Sequence, residues 1–422
     1  MRILWITPVG AHSAIAFFSE LVVERLVANG CDVSVAASES AFDERDRRRF
    51  FDLPIVSASR SLVLAETYDL IVANFGDHFP NHALSIEALD RPLVLGIFHD
   101  ADMSNFANGM RAAQSVTSGN ARLPIVANDI TREIASRCSG AVAHSRYYLN
   151  KLDGCDGPLA MIPLAWSVSP SAKNAGRQGA FNVPRSELFK VVTIGNINAN
   201  KCPERVIEAL GTSEILRERS EYRLAGDVAP AIADALRAQA QRLGVELVVC
   251  GRVSDIDMRA ELLTADVVSC LREPVLEGAS ASAIEAMMQG CAVVVSDVGF
   301  YADLPDNCVA KVPARTDVGS IRVALEALYS DPNAVIEMGK RAQTYATGWF
   351  SPQRYALQLL KLIADIRTTS AFHPVIERTG RELRALSLPG DCASVTYVLE
   401  QLEGLASVRR RSPVSSRLPT PS

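Results

Sequence analysis

A chain of 422 residues exceeds one usual core, so two domains are expected. Hydrophobic residues make up 48% and charged residues 22%, the balance of an ordinary globular protein rather than a disordered or fibrous one. The net charge of −5, with no long basic face, argues against nucleic-acid binding, and no apolar run reaches the roughly 18 residues of a membrane span.

Arg2 to Thr7 reads as a buried strand. Its basic-then-apolar start resembles a signal sequence, but a helix with Glu20 and Glu24 follows directly, so it is taken as the first strand. Pro8, Val9 and Gly10 turn the chain into a helix from about Ser13 to Asn29, which Gly30 stops, and Asp32 to Ala37 is the second strand. The opening is Rossmann-like, yet only Gly10 stands where G-x-G-x-x-G would be needed, and a dinucleotide site is not expected. Phe42 to Asp52 carries Arg45, Arg47, Arg48, Arg49, Phe50 and Phe51. A solvated helix offset by Asp43, Glu44 and Asp46 is the preferred reading; the alternative is a patch for an anionic membrane or an acceptor phosphate.

Leu53 to Ala58, Asp69 to Phe75 and Pro92 to Phe98 read as further strands. Polar groups follow two of them: Asn74, Gly76, Asp77, His78 and His82, then His99 and Asp100, at strand ends where open α/β sheets form their ligand crevice. Asp100-Ala-Asp102 spells D-x-D, a short match to which no metal is assigned. Asn105 to Asn120 is polar and glycine-dotted and is expected to be a mobile loop. Gly140 to Ser145 is a strand with a short helix after it, and Leu159 to Leu164 closes the first half. From Trp166 to Ser186 the composition shifts to Ser, Pro, Gly, Lys and Asn without periodicity, as in a linker. The second half alternates again: strand Lys190 to Ile194, helix Pro203 to Arg219, strand Tyr222 to Ala225, helix Ala231 to Leu243, strand Glu246 to Cys250 and helix Asp257 to Thr264.

Asp266 to Leu271 is a strand that runs into Glu277 and the small residues Gly278, Ala279, Ser280 and Ala281. A helix follows, stopped by Gly290, then the buried strand Cys291 to Val295. Small residues feeding a helix N-terminus present backbone N–H groups to an anion, and the helix dipole favours a phosphate there. Glu277 and Glu285 bracket this loop, and a carboxylate suits paired hydroxyls because it accepts two charge-assisted hydrogen bonds. The stretch therefore reads as a pocket for a nucleoside diphosphate carrying hydroxyl-rich groups. Asp297 to Leu304 is a polar turn and Val309 to Val312 a strand. Helices are expected over Val318 to Tyr329, Asn333 to Ala346 and Pro352 to Ile366, with two more across residues 371–405. Nine cysteines, with no C-x-x-C pair, read as buried thiols of a reducing cytoplasm.

Glu277-Gly-x6-Glu285-Ala-Met-x-x-Gly290-x-x-Val-Val-x-Ser296 resembles the E-x7-E signature of retaining GT-B glycosyltransferases, family 4 (glycosyl transferases group 1). The likeness extends over about Val191 to Pro313 and more loosely over the first half, where Asn74 through His99-Asp100 looks like one bacterial subgroup. It implies an α/β GT-B fold, two Rossmann-like domains facing across a cleft. The expected division is 1–168, a linker 169–187, a nucleotide-sugar domain 188–350, a returning helix 351–370, a helical extension 371–408 and a disordered tail 409–422.

The resemblance also implies roles. Gly195-Asn-Ile-Asn-Ala-Asn-Lys201 is similar to the family's Gly-Arg-x4-Lys-Gly loop, whose arginine and lysine grip the donor diphosphate. Lys201 matches, Asn196 replaces the arginine and Cys202 the glycine; Arg272 or Arg252 is the candidate for the missing charge. Glu277 would orient the donor sugar and stabilise positive charge on its ring, Glu285 would hold the ribose, and the amides of Gly278 to Ala281 the diphosphate. Val253 would meet the base through its backbone, Gly10 would face the cleft, and His99 would contact the sugar once the domains close. The implied activity is a retaining, metal-independent transfer from a nucleoside-diphosphate sugar, with no separate cofactor. The acceptor would be a sugar or lipid-linked glycan, in bacterial polysaccharide or glycolipid synthesis. By analogy the enzyme would be cytoplasmic, with peripheral contact at the inner membrane face. A non-catalytic nucleotide-sugar-binding subunit, which Asn196 would favour, and an epimerase or phosphorylase on the same fold are the alternatives.

Overall fold

The computed structural model describes residues 1–39, 47–50, 53, 55–56, 67–116, 129–168, 188–315, 317–385 and 397. The chain divides into two compact units, residues 1–163 with the chain from Gln353 onward, and Leu164–Pro352.

The first unit runs β1 (Arg2–Thr7), α1 (Ala14–Ala28), β2 (Asp32–Ala37), β3 (Ile55–Val56), β4 (Leu70–Phe75), α2 (Phe79–Glu87), β5 (Val94–Phe98), α3 (Ser104–Val116), α4 (Ile130–Ser136), β6 (Gly140–Ala143) and β7 (Leu159–Met161). Its strands form one sheet in the order β3-β2-β1-β4-β5-β6-β7, and every pairing is parallel. The central strands are apolar on both faces, Ile3 to Ile6 and Leu70 to Ala73 being buried throughout, as helices on both sides of a parallel sheet require. Ser13 starts α1 by accepting a hydrogen bond from the Ala16 amide, and Gly30, at φ +82°, ends the turn that follows it.

The second unit runs β8 (Phe189–Ile194), α5 (Pro203–Thr212), α6 (Glu214–Arg219), β9 (Ser220–Ala225), α7 (Pro230–Leu243), β10 (Glu246–Gly251), α8 (Asp255–Thr264), β11 (Val267–Cys270), α9 (Ala281–Met288), β12 (Ala292–Ser296), β13 (Ala310–Val312), α10 (Val318–Ser330) and α11 (Pro332–Trp349). Its six strands lie in the order β10-β9-β8-β11-β12-β13, again all parallel. The strand order reverses between β8 and β11, so the loops leaving these two strands flank the crevice of this unit. Helix α12 (Pro352–Ala385) belongs to the first unit from Gln353 on and buries Tyr355, Leu359, Ile363 and Ile366 there. Tyr355 lies edge-on to Phe18 at 5.0 Å.

Several expected elements differ. The polar stretch after Asn105 is helical as far as Val116, because Asp102 accepts hydrogen bonds from the Ser104 amide and hydroxyl at its start. Phe106, Ala107 and Met110 then give that helix a buried stripe. One helix expected over Pro203 to Arg219 is two, since the Ser213 hydroxyl accepts from the Leu216 amide and starts a second. Asp100 accepts from the Asp77 amide, 23 residues back, and Asp102 from Ser104, so both aspartates of the D-x-D match hold backbone of the first unit. The first extension helix expected beyond residue 371 is continuous with α12. Most of the arginine-rich stretch (40–46, 51–52), residues 117–128, the linker 169–187 and nearly all of 386–422 lie outside the described residues. Within the first of these, Arg48 pairs with Glu20 at 3.0 Å and lies over the Phe17 ring.

Candidate active site

The loop after β8 carries the lysine. Gly195 takes φ +80°, and a Cβ there would lie 3.1 Å from Lys201 Nζ and 3.3 Å from Ser282 Oγ. The loop after β9 packs onto it so closely that a Cβ on Gly226 would sit 1.9 Å from the Gly195 carbonyl oxygen. Both positions therefore need glycine. A single 3-10 turn, Ala199–Lys201, brings Lys201 back under β8, where Nζ donates to the Ile194 carbonyl at 2.5 Å. Lys201 is buried, and burial, reinforced by the Arg272 charge, pulls its pKa down to about 7. Cys202, where the family pattern has glycine, adopts φ +53° and starts α5.

The loop after β11 carries the first carboxylate. Arg272 is buried; its backbone N–H donates to Ser296 Oγ and its Nη1 to the Leu271 carbonyl. Its Nε lies 2.6 Å from Glu277 Oε1, and the fully buried Tyr301 hydroxyl donates to the same oxygen at 2.9 Å. Two donors on one oxygen fix the carboxylate plane and direct Oε2 elsewhere. Arg272 is thus committed first to Glu277, and whatever charge it lends a diphosphate comes as part of that pair. Past Glu277, Ser280 starts α9 by accepting from the Ala283 amide, so Ala281 and Ser282 form the first turn of that helix.

Glu285 lies one turn further along α9. Trp166 Nε1 donates to its Oε2 at 2.5 Å, and Gln289 Nε2 to its Oε1 at 3.3 Å. Burial pushes the Glu285 carboxyl above its ordinary range, and the Trp166 hydrogen bond opposes that push.

Residues 179–346 match the protein family described as Glycosyl transferases group 1. The second unit carries a group 1 glycosyltransferase domain. A sucrose-phosphate synthase from Thermosynechococcus elongatus superposes with a TM-score of 0.60 at 16% identity, covering 86% of this chain and 98% of its own. HepE from Anabaena, solved in complex with UDP, gives 0.60 at 16% identity over 86% of this chain and 100% of that one. WaaG, a glycosyltransferase involved in lipopolysaccharide biosynthesis, gives 0.53 at 15% identity over 84% and 98%. Likeness at these identities establishes the GT-B fold, with its two parallel α/β units. No curated protein matches the sequence.

In the glycosyltransferase domain, Lys201, Arg272, Glu277 and the Gly278–Ala281 loop come from the two strand ends at the switch point. Asn196 is exposed. Arg252 is also exposed and pairs with Asp227 at 3.2 Å on the surface; Val253, after the Gly251 turn, is half-buried. Tyr301 and Trp166 are the hydrogen-bond partners of the two glutamates that sequence reasoning missed. Tyr301 lies in a turn that reads as merely polar, and Trp166 is 119 positions from Glu285. No periodicity or spacing signals either one.

In the first unit, Gly10 has open space around it and an ordinary φ, so nothing local demands glycine. The amides of Val9 and Gly10 point at Glu39 Oε1, at 2.8 and 3.4 Å, so a carboxylate of the chain itself occupies that turn. His99 is buried at the end of β5, its ring 4.9 Å from Phe18. Its Nε2 lies 3.0 Å from Asn74 Oδ1 and its Nδ1 3.2 Å from His144 Nε2, while His144 Nδ1 faces the Ile162 carbonyl at 3.0 Å. Asn74 donates its amide to the Ile6 carbonyl, which fixes Oδ1 towards His99. Three contacts thus run between two oxygen acceptors, and two neutral rings supply only two N–H groups. Burial, then the neighbouring histidines, hold the His99 pKa well below its ordinary value.

Proposed function

We propose that this chain transfers a sugar from a nucleoside-diphosphate sugar to a hydroxyl acceptor, with retention of anomeric configuration and without a metal. The observation that carries this reading is the convergence of Lys201 and Glu277 from the ends of β8 and β11, with Glu285 on α9, the helix that follows. The lysine meets the diphosphate, the Glu277 carboxylate has an oxygen to offer the donor sugar, and Glu285 meets the ribose. The bond from the anomeric carbon to the diphosphate oxygen breaks, and charge develops on the leaving group. Lys201 and the amides of Ala279 to Ala281 stabilise that charge, with Arg272 contributing through its pair with Glu277. Glu277 stabilises positive charge on the sugar ring. The acceptor oxygen forms the new bond on the face just vacated, and its proton passes to the departing phosphate. A sugar contact from His99 would need a ring nitrogen to leave Asn74 or His144.

HepE is solved with UDP, with UDP and glucose, and with UDP-glucose, which makes uridine donors the first to test. A polysaccharide or lipid-linked glycan acceptor is supported by the likeness to WaaG. No described helix is long and apolar enough to cross a membrane, so a lipid-linked acceptor would be met by peripheral contact. The test is a panel of UDP-, GDP- and dTDP-sugars, without added metal, read by thermal shift and by slow donor hydrolysis. One donor that both stabilises the protein and is hydrolysed, with loss of hydrolysis in Glu277→Gln, is expected. Stabilisation without turnover, even with an acceptor mixture present, would replace the reading with that of a binding subunit. No stabilisation by any donor would refute it.

A further inference from the structure

Trp166 lies outside the matched residues 179–346 and outside every motif of the loop. Its backbone N–H donates to the Phe350 carbonyl at 2.9 Å, which fixes the main chain where the second unit begins and ends. Its indole reaches Glu285 Oε2 from there. A carboxylate has about four lone-pair sites. Trp166 takes one on Oε2 and Gln289 one on Oε1, which leaves one acceptor site on each oxygen. That is the complement of two neighbouring hydroxyls.

We propose that Trp166 is a positioning residue for a ribose held at Glu285, its indole N–H fixing the carboxylate plane so that each oxygen keeps one lone pair for a vicinal diol. The proposal rests on the assignment of Glu285 to the ribose given above. The indole also favours the charged carboxylate against the effect of burial, which is the form two donating hydroxyls require. The other groups facing Glu285 are Gln289 on the turn after α9, and Asp255 and Arg259 on α8, whose charges act in opposite directions. Removing the indole N–H leaves burial less opposed and raises the Glu285 pKa further. Ribose binding then fails at a higher pH on acidification.

The experiment is calorimetric titration of the full chain with UDP and GDP and with their 2′,3′-dideoxy counterparts, from pH 5.5 to 8, on wild type, Trp166→Phe, Trp166→His and Glu285→Gln. For the diphosphate that binds, Trp166→Phe is expected to weaken the ribo form about tenfold, the worth of one hydrogen bond to a charged group. It should leave the dideoxy form within about twofold and move the acidic limb of ribo affinity upward in pH. Trp166→His, which keeps a ring N–H, should retain most of the ribo preference. Equal weakening of ribo and dideoxy forms in both Trp166 variants would make the tryptophan a packing residue and overturn the proposal. So would an unchanged ribo preference in Trp166→Phe while Glu285→Gln loses it. Failure of Glu285→Gln to lose the preference, or binding of neither diphosphate, would instead overturn the ribose assignment and the proposal with it.

Discussion

If Lys201 meets the donor diphosphate as proposed, donor binding is a proton-uptake reaction. Burial and Arg272 hold its pKa at about 7, so at pH 8 roughly nine-tenths of the free protein carries a neutral amine there. A diphosphate beside Nζ favours the charged form and drives the pKa back towards its ordinary value. Binding at pH 8 should then take up about 0.9 proton, and at pH 6.5 about 0.2. If only the charged lysine binds productively, the apparent Kd rises by one plus the ratio of neutral to charged amine. Between pH 6.5 and 8.5 that is a loss of roughly 25-fold in affinity. The assay is calorimetry with the nucleoside-diphosphate sugar that the donor panel selects, whose esterified diphosphate does not titrate in this range. Buffers of different ionisation enthalpy give the proton count directly. Lys201→Met should bind weakly and show neither the uptake nor the slope. An uptake near zero at pH 8 in the wild type, or the same slope in Lys201→Met, would refute the reasoning.

Cys202 holds a left-handed conformation at φ +53°, which costs an L-residue roughly 1 kcal/mol relative to glycine. The usual order is therefore expected to invert: Cys202→Gly should be about 0.5–1 kcal/mol more stable than Cys202→Ala by denaturant unfolding, whereas a helical φ would favour alanine. His82 and His144 are buried and their pKa values are pulled down to about 4 by that burial. Between pH 4 and 6.5 the unfolded chain binds these protons and the folded chain does not, so stability rises with pH across this window. It is complete above pH 6.5 and lost as pH falls, by on the order of 3 kcal/mol for each histidine. The unfolding temperature measured from pH 7 to 4 should fall accordingly, and less steeply in His144→Gln. An equal slope in that variant would count against His144 as a source.

The alternation of strands and helices was legible because each central strand is an unbroken apolar run and several helices have a capping side chain or a glycine stop. Ser13, Ser280 and Gly30 mark their boundaries in sequence and in space. Helices α2, before β5, and α4, before β6, passed unrecognised, since Phe79–Glu87 opens with Phe-Pro and has no capping side chain, and Ile130–Ser136 spans barely two turns. The polar helix α3 hid for the opposite reason. Its glycine and asparagines suggested a loop, while its buried stripe is only the pair Phe106 and Ala107 and, one turn on, Met110. In the candidate site, Glu277 and Glu285 were singled out from the residues around them and Lys201 through the family resemblance, but the state of each was not legible. A lysine with a pKa near neutrality arises from burial and a neighbouring arginine, and neither is a property of the seven-residue loop that carries it.

The two glutamates show why. Each sits beside the small-residue loop, and the spacing between them is set by α9. What distinguishes them chemically comes from elsewhere in the second unit. Glu277 receives a guanidinium and a phenol on one oxygen, with its other oxygen directed away. Glu285 receives an indole and an amide, one on each oxygen, in a setting that burial biases against charge. The first arrangement suits a group that must stay negative while positive charge grows on a sugar. The second suits a group that shares two hydrogen bonds with neutral hydroxyls and gains from their arrival, because each donated hydrogen bond offsets part of the burial. Exchanging the two environments would exchange the two roles. The proposed roles therefore depend on Arg272, Tyr301 and Trp166 as much as on the glutamates that the motif contains.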